Sequence, residues 1–179
     1  MSQMGCPIPE NINPLSPTGF RLAITKLPEL TYFCQEANIP SIDLDAIPIG
    51  TPFSTNQVPG EILDFGQLTV NFIVDENLAN YKALYNWITG LGFPENYLQY
   101  QALGASSPIV STAQFGANQG NYSDGALEIL GSNNTPVQAI QFKDLYPVSI
   151  SSLNFQSNVD DIQYLIGTAS FKYTYYTFA

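Results

Sequence analysis

The chain contains no histidine. That removes the side chain most often used as general base or metal ligand near neutral pH. Every Ser-His-Asp or Cys-His arrangement goes with it. Basic residues are nearly as scarce. Arg21, Lys26, Lys82, Lys143 and Lys172 stand singly against 15 acidic residues, for a formal net charge of −10. Gripping nucleic acid takes clustered cations that neutralise phosphates and release counterions, so this balance argues against it. Cysteine is limited to Cys6 and Cys34, too few for a disulfide framework. Cys34 lies in a strand-like run and reads as a buried free thiol. No apolar stretch approaches the ~20 residues of a membrane helix, and no membrane partner is expected. The opening MSQMGCPIPENINP has neither a basic flank nor an apolar run, so it does not read as a secretory signal, and a soluble, non-exported protein is expected. Gly90-Leu91-Gly92 lacks the spacing and the following lysine of a phosphate loop.

What is present is a core. Of 179 residues 45% are hydrophobic and 13% aromatic, with 11% charged, which suits one folded domain rather than a disordered chain. Residues 1–19 carry Pro7, Pro9, Pro14 and Pro17 without periodicity and read as an extended arm. Residues 20–179 read as a single β domain with a long insertion at 93–124 that is rich in Gly, Ser, Asn, Gln and Tyr. Phe20, Leu22 and Ile24 alternate with Arg21, Ala23 and Thr25 as a strand. A turn at Lys26–Glu29 then leads to a second strand over Leu30–Ala37, and the pair predicts a hairpin. Between Ile39 and Gly60, four prolines interrupt a segment that still holds Ile42, Leu44, Ile47, Ile49, Phe53 and Val58. Two readings stay open there: a loop tucked onto its own core, or an arm that buries these residues against another subunit.

Phe65–Val74 is the clearest strand. Leu68, Val70, Phe72 and Val74 share one face, and Gln67, Thr69 and Asn71 share the other. Asp75 is placed to cap a following helix, with Glu76 in its first turn. Leu78, Tyr81, Leu84, Tyr85 and Ile88 recur at helical spacing, with Gly90 or Gly92 as the stop. Trp87 lies beside that stripe and reads as packing. Ala126–Leu130 and Val137–Phe142 predict a hairpin. Val148 and Ile150 fall out of phase with Leu153 and Phe155, which predicts a bulge near Ser151–Ser152. Asp161–Phe178 reads as one long strand, with Ala169, Phe171, Tyr173 and Tyr175 inward and Thr168, Ser170, Lys172 and Thr174 outward. The fold class is therefore mainly β: an antiparallel β-sandwich or partial barrel with one flanking α-helix.

Candidate chemistry is thin. Carboxylate pairs at Asp43/Asp45, Asp75/Glu76 and Asp160/Asp161 could serve glycoside hydrolysis, yet a solvated strand face, a helix cap and a turn account for them better. Calcium at Asp43-x-Asp45 or Asp160-Asp161 matches no EF-hand loop. Tyr97, Tyr100 and Tyr122 could stack sugars or cover subunit interfaces, where aromatics are also enriched. No enzyme activity, metal or cofactor is expected.

The order of elements resembles the tail tube proteins of contractile-tailed bacteriophages, a family related to type VI secretion tube proteins. The matching stretches are GFRLAITKLPELTYFCQEANIPSIDL, IPIGTP, VPGEILDFGQLTVNFIVDEN with the helix NYKALYNWITGL, and ALEILGSNNTPVQAIQFKDLYPVSISSLNFQS with the closing aromatic strand. Residues 93–124 match poorly. The resemblance implies a tail-tube-like fold, with six copies closing a ring and rings stacking into a tube through which DNA passes unbound. It further implies tail sheath and baseplate proteins as partners, a place in the virion tail, and assembly in the host cytoplasm. On that reading Ile47, Ile49, Phe53 and Val58 meet other subunits. Gln67, Thr69, Asn71, Thr168, Ser170 and Thr174 line the channel, for which a polar, uncharged face is suited. Two alternatives accompany it: a tube-initiating baseplate or tail-end protein, and, in a different class, a β-sandwich ligand-binding module.

Overall fold

Alternating apolar and polar residues build most of this chain into antiparallel strands. The computed structural model describes residues 14–92, 94–105, 121–158 and 164–179. In chain order the elements are β1 (Phe20–Ile24), α1 (Pro28–Phe33), β2 (Cys34–Ala37), β3 (Ile42–Gly50), β4 (Thr55–Phe65), β5 (Leu68–Ile73), α2 (Ala79–Gly92), α3 (Tyr97–Ala105), β6 (Ser123–Leu130), β7 (Pro136–Ile150), β8 (Ile166–Lys172) and β9 (Tyr175–Phe178). The order of the main sheet is β1-β6-β7-β8-β5-β2, with β9 also on β7, while among the described residues β3 and β4 pair only with each other. The architecture is mainly antiparallel β with few helices, as the sequence predicts.

Strand β7 is the spine. Its first part pairs with β9 through Ile140–Lys143, and its last part pairs with β8 through Tyr146–Ile150. Between them Asp144 takes the left-handed φ of 56°, and the register slips between Pro147 and Ser149. A strand that turns a corner this way serves two sheets at once. The same corner splits the predicted strand over 161–178. Thr174 N–H donates to the Lys143 carbonyl at 3.0 Å and its hydroxyl donates to Asp144 Oδ2 at 3.2 Å. Side-chain phase therefore changes after Tyr173. Ala169, Phe171 and Tyr173 are buried as expected, but Tyr175 is 45% exposed and Tyr176 takes the inward place. The predicted bulge at Ser151–Ser152 is corrected likewise: the irregularity lies at Pro147–Ser149, and Phe155 is exposed.

The core collects Leu22 and Ile24 of β1, Leu68, Val70 and Phe72 of β5, Ile140, Phe142 and Leu145 of β7, and Phe171 of β8. Helix α2 covers it with Leu84 and Trp87, whose ring centroid lies 6.4 Å from that of Phe171. The buried helix face therefore runs through Asn80, Leu84, Trp87 and Gly90, and Tyr85 points outward, a rotation from the predicted stripe. Asp75 is not the cap. It opens a turn closed by Leu78 N–H to its carbonyl at 2.8 Å, Leu78 adopts φ 56°, and the helix starts at Ala79. Buried Asn80 joins helix to strand: its amide donates to the Ile73 carbonyl at 2.8 Å and its oxygen accepts from Asp75 N–H at 3.3 Å.

Two further helices stand where none was expected, so the single flanking helix is corrected to three among the described residues. Pro28 at the first helical turn and Glu29 behind it start α1, which buries Leu30 before the chain extends as β2. The predicted strand over Leu30–Ala37 is thus half helix. Its predicted hairpin partner is also wrong, because β1 pairs with β6 and β2 pairs with β5. Inside the insertion, the Asn96 side chain accepts from Leu98 N–H at 3.0 Å and caps α3. Leu103 then presses on Gly90, where a Cβ would come within 2.6 Å of the leucine. The β6–β7 hairpin forms as predicted.

Candidate functional site

The segment with two open readings is a freestanding hairpin. Ile42–Gly50 pairs with Thr55–Phe65, and the Thr51–Ser54 turn is closed by Thr51 N–H to the Ser54 carbonyl at 2.8 Å. Pro48 faces Gln57 and Pro59 faces Ala46 in the ladder. In a two-stranded ribbon each strand has an outer edge, so a proline nitrogen costs no ladder bond when it points there. The prolines therefore do not interrupt the pairing, contrary to expectation. The ladder slips only between Leu44 and Ala46.

None of the four predicted contact residues is buried: Ile47 is 55%, Ile49 50%, Val58 40% and Phe53 99% exposed. Ile42, Leu44, Ile62 and Leu63 are exposed as well. A loop tucked onto its own core is thereby set aside. An isolated two-stranded hairpin is marginal in water, so its orientation depends on its base. There Phe65 packs edge-on against Tyr173 and Tyr176, at 6.1 and 5.7 Å between centroids. Tyr176 Oη donates to the Pro40 carbonyl at 3.2 Å, and Gly66 N–H donates to the Ser41 carbonyl at 2.9 Å. Tyr173 Oη is enclosed there without a hydrogen-bond partner, and burial pushes its pKa up to about 12.

Four of the six predicted channel residues come together. Thr69 lies opposite Ser170 and Asn71 opposite Thr168, on the face of β5–β8 away from the core. Thr168 Oγ1 donates to Asn71 Oδ1 at 2.7 Å, and Asn71 Nδ2 donates to Glu36 Oε2 at 2.6 Å. Ser149 extends the row onto β7. Gln67 is exposed in the turn before β5, and Thr174 belongs to the Asp144 corner, so neither joins this row. Sequence reasoning missed Glu36, because Cys34–Ala37 was assigned a different neighbour.

Tyr97 stacks on Tyr100 at 5.6 Å, Tyr100 Oη accepts from Asn121 Nδ2 at 2.9 Å, and Tyr122 packs edge-on against Tyr146 at 5.7 Å. All three rings make contacts within the chain, and Tyr97 and Tyr122 remain partly exposed. Asp43 accepts from Ser41 Oγ at 3.4 Å, and no cluster of three metal-ligating side chains occurs among the described residues. Asp160, Asp161 and Cys6 lie outside the described residues, as does 1–13 of the predicted arm. Cys34 is half-buried rather than buried, and desolvation raises its pKa to about 11. Lys26 lies 4.9 Å over the Trp87 ring, and its burial lowers its pKa to about 8. No described helix is long and apolar enough to cross a membrane.

The family model described as phage tail tube protein matches residues 7–179. The tail tube terminator protein of Enterobacteria phage T4 is 29% identical over 150 residues, covering 82% of this chain and 76% of that one. Among solved structures, the tube terminating cap of the anti-feeding prophage superposes with TM-score 0.62 at 14% identity, over 100% of this chain and 99% of that one. A chain of the PVC sheath-tube complex, an extracellular contractile injection system in its extended state, gives 0.61 at 12% identity, over 94% and 93%. The fold is thus shared with tube and tube-end proteins of contractile machines, and this chain belongs to the phage tail tube protein family.

Proposed function

We propose that this protein is a structural subunit of a phage tail that closes into six-membered rings around a channel and meets the tube through its β3–β4 hairpin. The observation that carries the reading is the hairpin itself: a ribbon with apolar residues left open to water, ending in a fully exposed phenylalanine. Such a patch on a folded subunit marks an interaction surface. One contact per subunit is weak, but a ring engages all its hairpins together, and the combined effect is steep.

The polar row of Thr69, Asn71, Thr168 and Ser170 suits the channel wall, with Glu36 its one carboxylate in the hydrogen-bonded chain. Six copies at −10 each carry a formal −60, which repels phosphate and keeps passing DNA from sticking. The virion tail is the site of action, with sheath or baseplate proteins as neighbours. The likeness to the T4 terminator supports a place at the tube end. The second reading, a subunit repeated along the tube, rests on the same hairpin.

Imaging of the purified protein, with copies counted per native particle, tests both levels. Six-fold rings are expected, at one ring per tube end for a terminator and many rings for a tube subunit. A monomer at every concentration, with no rings in particles, would overturn the proposal.

A further inference from the structure

The outer face of the β1-β6-β7 sheet carries an open groove of about 430 Å³ between β1, α1, β6 and β7. Ala23 and Ala126 lie opposite each other in the ladder there, with Gly125, Pro28 and Thr31 beside them. Small residues leave the space, since a larger pair would fill it. The flanking charges are already matched. Lys143 Nζ donates to Asp124 Oδ2 at 2.8 Å, which raises the lysine's pKa, and Arg21 Nε donates to Glu128 Oε2 at 2.9 Å farther along the face. On a chain of net charge −10, this is an open place floored by the small residues Ala23, Gly125 and Ala126, rimmed by Thr25 and Gln141, with its ion pair matched internally.

The hairpin offers the complementary shape. Its tip, Thr51 to Gln57, contains no charged residue, and Phe53 stands 99% exposed upon it. Strand β3 alone spans about 30 Å at the usual rise per residue, enough to extend beyond its own subunit. An uncharged aromatic knob gains most from a niche whose floor is apolar and whose ion pairs need no new partner. We infer that Phe53 of one copy seats in the Ala23–Ala126 groove of another copy. This rests on the hairpin being an assembly arm and adds the surface that receives it. Knob and groove are different patches, so the contact is head-to-tail and self-propagating around or between rings.

The full-length protein tests this through three variants and one cross-link. Phe53→Ser should weaken assembly about tenfold or more, the factor expected when one aromatic burial is lost. Ala126→Trp should weaken it about as much by filling the groove, and adding Phe53→Ser should cause little further loss, because both changes remove the same contact. Should Ala126→Trp misfold, Ala23→Phe tests the same space from β1. In a Cys6→Ser, Cys34→Ser background, Phe53→Cys combined with Ala126→Cys should give linked copies on oxidation, and neither alone should. If Phe53→Ser assembles normally, both the arm and its receptor fall. If Phe53→Ser fails but the groove variants assemble normally and no linked copies form, only the receptor falls.

Discussion

Strands β5 and β3 use the same kinds of residue and end in opposite states. In β5, Leu68, Val70 and Phe72 are fully buried, each alternating with a half-exposed neighbour. In β3, Ile42, Leu44, Ile47 and Ile49 are equally apolar, yet no residue of the strand is buried. The difference is the neighbourhood. Strand β5 lies between β2 and β8 and shares the core with helix α2, whereas β3 has β4 as its one strand partner among the described residues. Each large side chain left in water forgoes roughly 1.5–3 kcal/mol of burial. The body is therefore stabilised within the chain, whereas the hairpin keeps its apolar residues open, as the proposed assembly arm requires.

This contrast can be tested by substituting each region in turn. Phe72→Ala or Phe171→Ala should have the largest effect, lowering subunit stability by about 3–5 kcal/mol in chemical denaturation, because both leave a cavity in the core. Gly90→Val should cost about 1–3 kcal/mol and loosen α3, since its first carbon would meet Leu103 at 2.6 Å. Melting and limited proteolysis after residue 92 would detect both effects. Tyr173→Phe should leave stability unchanged or raise it by about 1 kcal/mol, because it removes an enclosed hydroxyl with no partner. A loss comparable to the core variants would mean that this hydroxyl has a role at the hairpin base. Asp64→Asn should have the smallest effect. Asp43 and Asp64 face each other across the ladder, and relieving like charges there should steady the hairpin by about 0.2–1 kcal/mol, seen as slower amide exchange in β3.

Much of the body was legible because period-two alternation survives wherever one face is buried, as in Leu68–Phe72 and Ala169–Tyr173. Apart from the β6–β7 hairpin, partners in the main sheet were not, because those pairings join residues far apart in the chain. β1 meets β6, and Glu36 reaches the polar row only once β2 lies beside β5. Helix α1 hid behind Thr31, Tyr32 and Phe33, residues that favour strands. What overrode that preference was Pro28 at the helix start and the burial of Leu30. The corner at Asp144 gives no periodic signal, since a left-handed φ in an aspartate is set by the sheets around it. Of the candidate site, the hairpin residues and four polar-row residues were legible by type and spacing. That the hairpin is paired was not, because prolines read as breakers unless both strands are known to be edges.

The central claim is that the hairpin serves assembly and not the fold. The most direct measurement is Phe53→Ser, with melting temperature and assembled mass followed on the same sample. The predicted result is a melting temperature within the small change usual for exposed positions, together with loss of rings or tubes. An unfolded subunit, or a normal subunit that still assembles fully, would contradict it.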